Sequence, residues 1–190
     1  AQGISTQSIG WTIRSASTQA DAITLIGDAS ITDNSTTSLG INFSGIIEAT
    51  GTGGGIVLTG TSGTSTSYGD GLGIFGDVLA ASGTITITGT DDASNANNRD
   101  VSISGATLGS KTATNVSSST ANIEVRGNRP LFANSSALNT LGTFTLESRS
   151  DNFTNTVFFP ITNLLLNTSV SSITIGKPSN TSNIIFNGTT

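Results

Sequence analysis

A short cassette, apolar-x-apolar-x-Gly, recurs along the whole chain and limits the folds open to it more than any other feature. It appears at Ile23-Leu25-Gly27, Ile41-Phe43-Gly45, Ile56-Leu58-Gly60, Leu72-Ile74-Gly76, Ile85-Ile87-Gly89, Val101-Ile103-Gly105, Ile123-Val125-Gly127 and Ile184-Phe186-Gly188, with variants at Phe144-Leu146 and Ile173-Ile175. Two apolar residues separated by one polar residue give one strand with an inward, outward, inward pattern, and the glycine reads as the corner that follows. A larger unit repeats as well. LGINFSGIIEATGTGGGIVLTGT at 39–61 aligns with LGIFGDVLAASGTITITGT at 72–90, an offset of roughly 30 residues holding about three strands. A unit of that length with no helical period predicts a β-solenoid, in which each coil covers the apolar ladder of the coil below and pairs its backbone about 4.8 Å away. Thr84, Thr86 and Thr88, between inward isoleucines, keep strand propensity while facing water.

Composition agrees. Gly, Ser, Thr and Asn make up about half of the 190 residues, and charged residues only 10%, far from an ordinary helical protein. Disorder would go with low hydrophobicity and high net charge; here the apolar residues are regularly spaced and the net charge is −5. The carboxylates, Asp28, Glu48 and Asp100 among them, read as isolated and no basic face exists, so nucleic acid is not an expected partner. The chain has neither Cys nor Met, which removes disulfide and thiol chemistry and suits a chain exported unfolded. Residues 1–20 lack the basic start and apolar core of a signal peptide, as a mature product or an internal segment would. No apolar run is long enough to span a bilayer, so membrane insertion is not expected.

Residues 1–105 read as regular coils. After about 106 a loop-like stretch, KTATNVSSSTAN, precedes longer segments carrying Phe132, Phe144, Phe153, Phe158 and Phe159. Residues 106–190 are expected to continue the same solenoid with wider, less regular coils, the alternative being a second domain. Pro130, Pro160 and Pro178 are placed between strands, where they break no ladder.

With the cassettes laid out, the sequence resembles the repeat region of filamentous-haemagglutinin-like exoproteins, large adhesins secreted by the two-partner route. The resemblance is carried by GIIEATGTGGGIVLTGTSG, by LAASGTITITGTD and by PITNLLLNTSVSSITIGKPSNTSNIIFNG. It implies a right-handed parallel β-helix extended into a surface fibre. The family's secretion domain has no evident counterpart here, so an internal or processed segment of a larger protein is expected.

Several side chains invite a chemical reading. Histidine is absent, which excludes His-based triads and most catalytic zinc sites. Carboxylate catalysis, as in carbohydrate-active solenoid enzymes, would need acids paired in a cleft with a base nearby. Asp91, Asp92, Arg99 and Asp100 in TDDASNANNRD are the candidates, and the segment reads instead as a solvated loop. Asp70 and Asp77 in YGDGLGIFGDVL resemble one turn of a calcium-binding repeat, but without tandem repetition they read as turn residues. Outward threonines, with Thr64 and Thr66, suggest an ice-binding array, weakened by Val57 and Thr59 at the matching positions of the preceding coil. Trp11 and Tyr68 would be sugar-stacking platforms if exposed and core or cap residues otherwise. Asn-x-Ser/Thr sequons at Asn34, Asn42, Asn115, Asn134, Asn152, Asn167, Asn180 and Asn187 are a modest excess for this composition.

No residue is assigned as catalytic, cofactor-binding, metal-binding or ligand-binding. The expectation is a secreted, non-enzymatic fibre module at the bacterial outer surface, meeting host, substratum or neighbouring cells, glycans included, as in attachment and biofilm. A self-assembling extracellular filament is the first alternative and a carbohydrate-active β-helix enzyme the second.

Overall fold

The computed structural model describes residues 2–6, 10–30, 35–92, 96–166 and 170–187. Nineteen strands and no helix occur among them, three strands to a coil. The first coil holds β1 (Gln2–Ser5), β2 (Thr12–Ser15) and β3 (Ile23–Ala29); the second β4 (Ser35–Phe43), β5 (Ile46–Ala49) and β6 (Ile56–Ser62). The third holds β7 (Ser65–Ile74), β8 (Asp77–Ala80) and β9 (Thr84–Thr90); the fourth β10 (Arg99–Ser104), β11 (Thr107–Gly109) and β12 (Asn122–Arg126). The fifth holds β13 (Pro130–Ala133), β14 (Ser136–Asn139) and β15 (Thr143–Glu147), followed by β16 (Val157–Phe159), β17 (Leu164–Leu166), β18 (Ser172–Ile175) and β19 (Ile184–Phe186).

Every strand pairs in parallel with its counterpart one coil away, which makes the chain a β-solenoid. Face A runs β1-β4-β7-β10-β13, face B runs β2-β5-β8-β11-β14-β17, face C runs β3-β6-β9-β12-β15-β18, and β16 pairs separately with β19. On face C one inward ladder climbs from Ile23 through Ile56, Ile85, Ile123 and Phe144 to Ile173, steps of 33, 29, 38, 21 and 29 residues. A second climbs from Leu25 through Leu58, Ile87, Val125 and Leu146 to Ile175. Face A supplies Ile41, Leu72 and Val101, with Phe43, Ile74, Ile103 and Phe132 beside them. Face B supplies Ile47, Val78, Leu108 and Leu138. Apart from Leu25 and Ile175, which pack against its edge, and the exposed Ile173, these side chains belong to one buried apolar core reaching from Ile23 to Leu164. Faces B and C therefore run on past residue 105. The long step of 38 residues contains the insertion 110–121 between β11 and β12, and face A stops at β13.

The cassette glycine has two physical functions, only one of which is the corner expected. On face A, Gly45 ends the strand at φ +145° and turns the chain onto face B. In the first two coils of face C the strand continues two residues past its glycine, and a Cβ on Gly60 would lie 2.0 Å from the Gly71 carbonyl oxygen of the next coil. Glycine is there because two backbones meet edge to face at a thin corner, a use of strand glycine that the sequence pattern alone does not separate from a turn. Pro160 and Pro178 lie between strands as expected, but Pro130 does not. Pro130 heads β13 and pairs with Val101; as the first residue of a strand it forgoes no ladder bond that matters.

Candidate functional site

The thin corner between faces C and A is glycine on both sides in coils two and three and changes character in coil four. Asp100 takes the rung that Gly71 holds one coil below. Its carboxylate is fully buried, with Oδ1 accepting the Asp91 amide at 3.1 Å and Oδ2 the Arg129 amide at 2.8 Å. The Arg129 guanidinium reaches Asp91 at 3.2 Å and donates to the Ala96 carbonyl. Asn98, also buried, donates to Asp92 at 2.9 Å and accepts from Ser65 Oγ at 3.1 Å, and Arg99 closes onto the Ala96 and Asn98 carbonyls. Burial, then the neighbouring charge of Asp100, raises the Asp91 carboxyl above its ordinary value, against the pull of Arg129.

The four residues singled out in TDDASNANNRD are thus brought together, but as a tether for the loop. The solvated reading holds for Asp92, Ala96 and Asn97, which are exposed, not for Asp91, Asn98 and Asp100; residues 93–95 lie outside the described residues. Both Asp100 oxygens are occupied by backbone amides and Asp91 is held by Arg129, an arrangement that pins chain rather than presenting an acid and a base to a substrate. Arg129 was not foreseen. It lies 38 residues beyond Asp91 in sequence, and only the coil register makes them neighbours.

One coil below, Tyr68 donates its hydroxyl to Asp70 Oδ2. Asp70 is fully buried and its Oδ1 has no hydrogen-bond partner. Burial pushes its carboxyl up to about 6, which the Tyr68 and backbone Arg99 hydrogen bonds only partly offset. Burial raises the Tyr68 phenol as well. Tyr68 keeps a half-exposed ring whose hydroxyl is turned inward, so its place is at the rim of this network. Asp77 is elsewhere, on β8, where Lys111 Nζ at 2.7 Å and the Thr107 amide at 3.0 Å satisfy it. Asp70 and Asp77 share no site, and no group of three or more metal-ligating side chains occurs among the described residues.

Glu48 is likewise buried and partnered rather than isolated. It accepts Arg14 Nε at 2.6 Å and Asn115 Nδ2 at 3.0 Å, which fastens the 110–121 insertion across face B. The outward threonines of face C do not form an extended array. The column through Thr86 reads Thr24, Val57, Thr86, Glu124, Thr145, Thr174, and the Arg126–Glu124 ion pair at 2.8 Å interrupts it. Among the sequons, Asn115, Asn134 and Asn180 spend their side-chain amides on Glu48, Ser104 and the Ser182 carbonyl; Asn34 and Asn167 lie outside the described residues.

A trough of about 450 Å³ follows the corner between faces A and B. Trp11 lines it in the first coil and Phe75 two coils on, with Gly45, Gly76 and Gly105 along the floor and Lys111 after the fourth coil's β11. Trp11 is 56% exposed and Phe75 44%. The sequence raised Trp11 as a platform conditional on exposure and passed over Phe75, which follows an inward isoleucine and shows itself only once the corner is built. Two further cavities, about 160 Å³ beside Phe132 and Phe158 and about 200 Å³ among Ser117–Ser119, are smaller and fall below the usual size of a ligand pocket.

No protein-family model, no curated protein and no solved structure matches this chain.

Proposed function

We propose that the chain is a non-catalytic, load-bearing module of a secreted bacterial surface fibre, built to hold a long lateral face against host, substratum or neighbouring cells. The carrying observation is the continuity of the parallel ladders: faces B and C each run through six strands in register over one apolar core. Such a body grows only along its axis and offers flat, weakly charged faces along its length. The resemblance to filamentous-haemagglutinin-like adhesins supports a right-handed course, export and attachment. Asp100 of the C–A corner is committed to backbone amides and Asp91 to Arg129, which favours a structural over a hydrolytic reading.

Purified chain coated on beads is expected to resist washing from epithelial and abiotic surfaces when albumin-coated beads do not. Retention no greater than albumin's would overturn attachment. A second reading, end-to-end assembly, is favoured by the terminal coils. Among the described residues β3 and β18 each have a strand partner on one side only, and Ile26, Leu165 and Phe186 are exposed there. Electron microscopy over a concentration series separates the two, since filaments with an axial repeat of about 30 Å, six coils at the strand spacing, would make assembly the primary function.

A further inference from the structure

We propose that the trough on the corner between faces A and B binds one strand of a linear, equatorially linked glycan laid along the solenoid axis. This deepens the attachment reading, on which it rests for its setting alone.

Geometry supplies the first argument. The register Thr12↔Ile46↔Asp77 puts Trp11 on the first rung and Phe75 on the third, about 10 Å apart along the axis at the strand spacing. In an extended, equatorially linked glycan every second sugar presents the same face, so two aromatic platforms two rungs apart meet two such faces. The Phe75 ring lies across Gly73, with its edge where a Cβ on that glycine would be 3.0 Å away, which fixes it as a rigid shelf. Large aromatics 56% and 44% exposed in one trough leave apolar area that nothing among the described residues covers, and the flat apolar face of a sugar ring suits them.

The floor supplies the second argument. A side chain on Gly45 would meet the Trp11 carbonyl oxygen at 2.6 Å, and one on Gly76 the Gly45 carbonyl oxygen at 2.1 Å. Glycine is therefore required at both rungs by the close approach of the neighbouring coil's backbone, and no side chain stands at either position along the trough. Two of its backbone amides are already used between coils: the Ile46 amide binds the Trp11 carbonyl at 2.8 Å and the Asp77 amide the Gly45 carbonyl at 2.8 Å. The open strand edge in the trough's lining is that of β2 at the terminal coil, so a peptide laid along the axis would cross the paired strands of the later coils and find no edge on them to pair with. The remaining polar groups are side chains at the rim, Thr12, Ser44 and the half-exposed Lys111 ammonium, a set suited to hydroxyl groups spaced along a polymer. A volume of about 450 Å³ is within the range of small-molecule and oligomer sites.

Trp11 is the chain's single tryptophan, so its emission reports this trough alone. Titration of the full chain with cellohexaose and with chitohexaose is expected to give a saturable blue shift for at least one of them. Phe75→Ala is expected to weaken that binding by about tenfold or more, the loss of one stacked face, while Phe75→Tyr, which keeps the shelf, binds as the wild type. Lack of response to either probe at millimolar concentration would overturn the proposal, as would undiminished affinity in a Phe75→Ala chain with wild-type thermal unfolding. A blue shift that follows protein concentration alone would overturn it in favour of contact between two copies. Beads coated with Phe75→Ala that adhere as well as wild type would leave the attachment reading standing without the trough.

Discussion

Asp70 is the residue at which burial and charge are most openly in conflict. Its carboxyl is fully buried, one oxygen has no hydrogen-bond partner, and the pKa stands near 6 against an ordinary 3.8. A folded-state value above the unfolded one means that the native chain takes up the proton first as pH falls. The contribution of Asp70 to stability is therefore fully present below pH 4 and is lost as pH rises through about 6. Two pH units correspond to about 3 kcal/mol. Asp91, raised by burial, acts in the same direction, whereas the exposed Asp28, lowered by its bonds to Ser30, acts weakly in the other. Asp70→Asn can keep an acceptor for the Tyr68 hydroxyl without carrying the buried charge. It is expected to unfold at higher denaturant than wild type at pH 7.5, with the gap closing toward pH 4. A constant difference between the two proteins across that range would show that Asp70 is not the titrating group.

At the scale of the element, the glycines of the two corners make a sharp contrast. Gly60→Ala drives a methyl into the Gly71 carbonyl, 2.0 Å from its oxygen, and both partners are backbone of adjacent strands that cannot step aside. The expected cost is about 3 kcal/mol, the upper end of overpacking in a tight core, seen as a lowered urea midpoint. Gly105→Ala meets its nearest atom only at 3.7 Å and carries φ +63°, so it is expected to cost about 1 kcal/mol, the left-handed penalty alone. Equal losses would mean that the corner relaxes. The 110–121 insertion gives a second case. Glu48→Ala removes the acceptor shared by Arg14 and Asn115 and is expected to speed tryptic cleavage after Lys111 by about tenfold, as the loss of a charge-assisted bond worth roughly 1.5–3 kcal/mol allows.

These elements also show where the sequence was readable. Faces A and C were legible because most of their strands place two apolar side chains at alternate positions, Ile85 and Ile87 in β9 for instance. Face B was not, because strands such as β11, TLG, carry one inward aliphatic, Leu108, and a period of two needs at least two points. Of the candidate residues, Trp11 was legible as a type and Phe75 was not. The link from Asp91 to Arg129 depends on coil register, which no local pattern encodes.

For the whole molecule, stacking makes stability nearly one-dimensional: each coil is held by the two beside it, and a terminal coil by one. Leu58 and Leu25 occupy the same ladder in adjacent coils, but Leu58 is fully buried while Leu25 only packs against the core's edge. Leu58→Ala is expected to cost about 3 kcal/mol, as in an ordinary buried cavity. Leu25→Ala should cost about 1 kcal/mol, because much of its surface is never removed from water in the isolated chain. Amide hydrogen exchange should show the same gradient, with protection greatest in β6, β9 and β12 and falling toward β3 and β18. The gradient bears directly on the choice between a shaft and a filament. Protection that stays high out to β3 and β18, and rises with protein concentration, requires those edges to be covered in solution, and the only available cover in a pure sample is another copy stacked on the open end. Protection that falls off regardless of concentration leaves the ends free, so that the lateral faces, with the trough at their corner, are the surfaces through which the chain meets its partners.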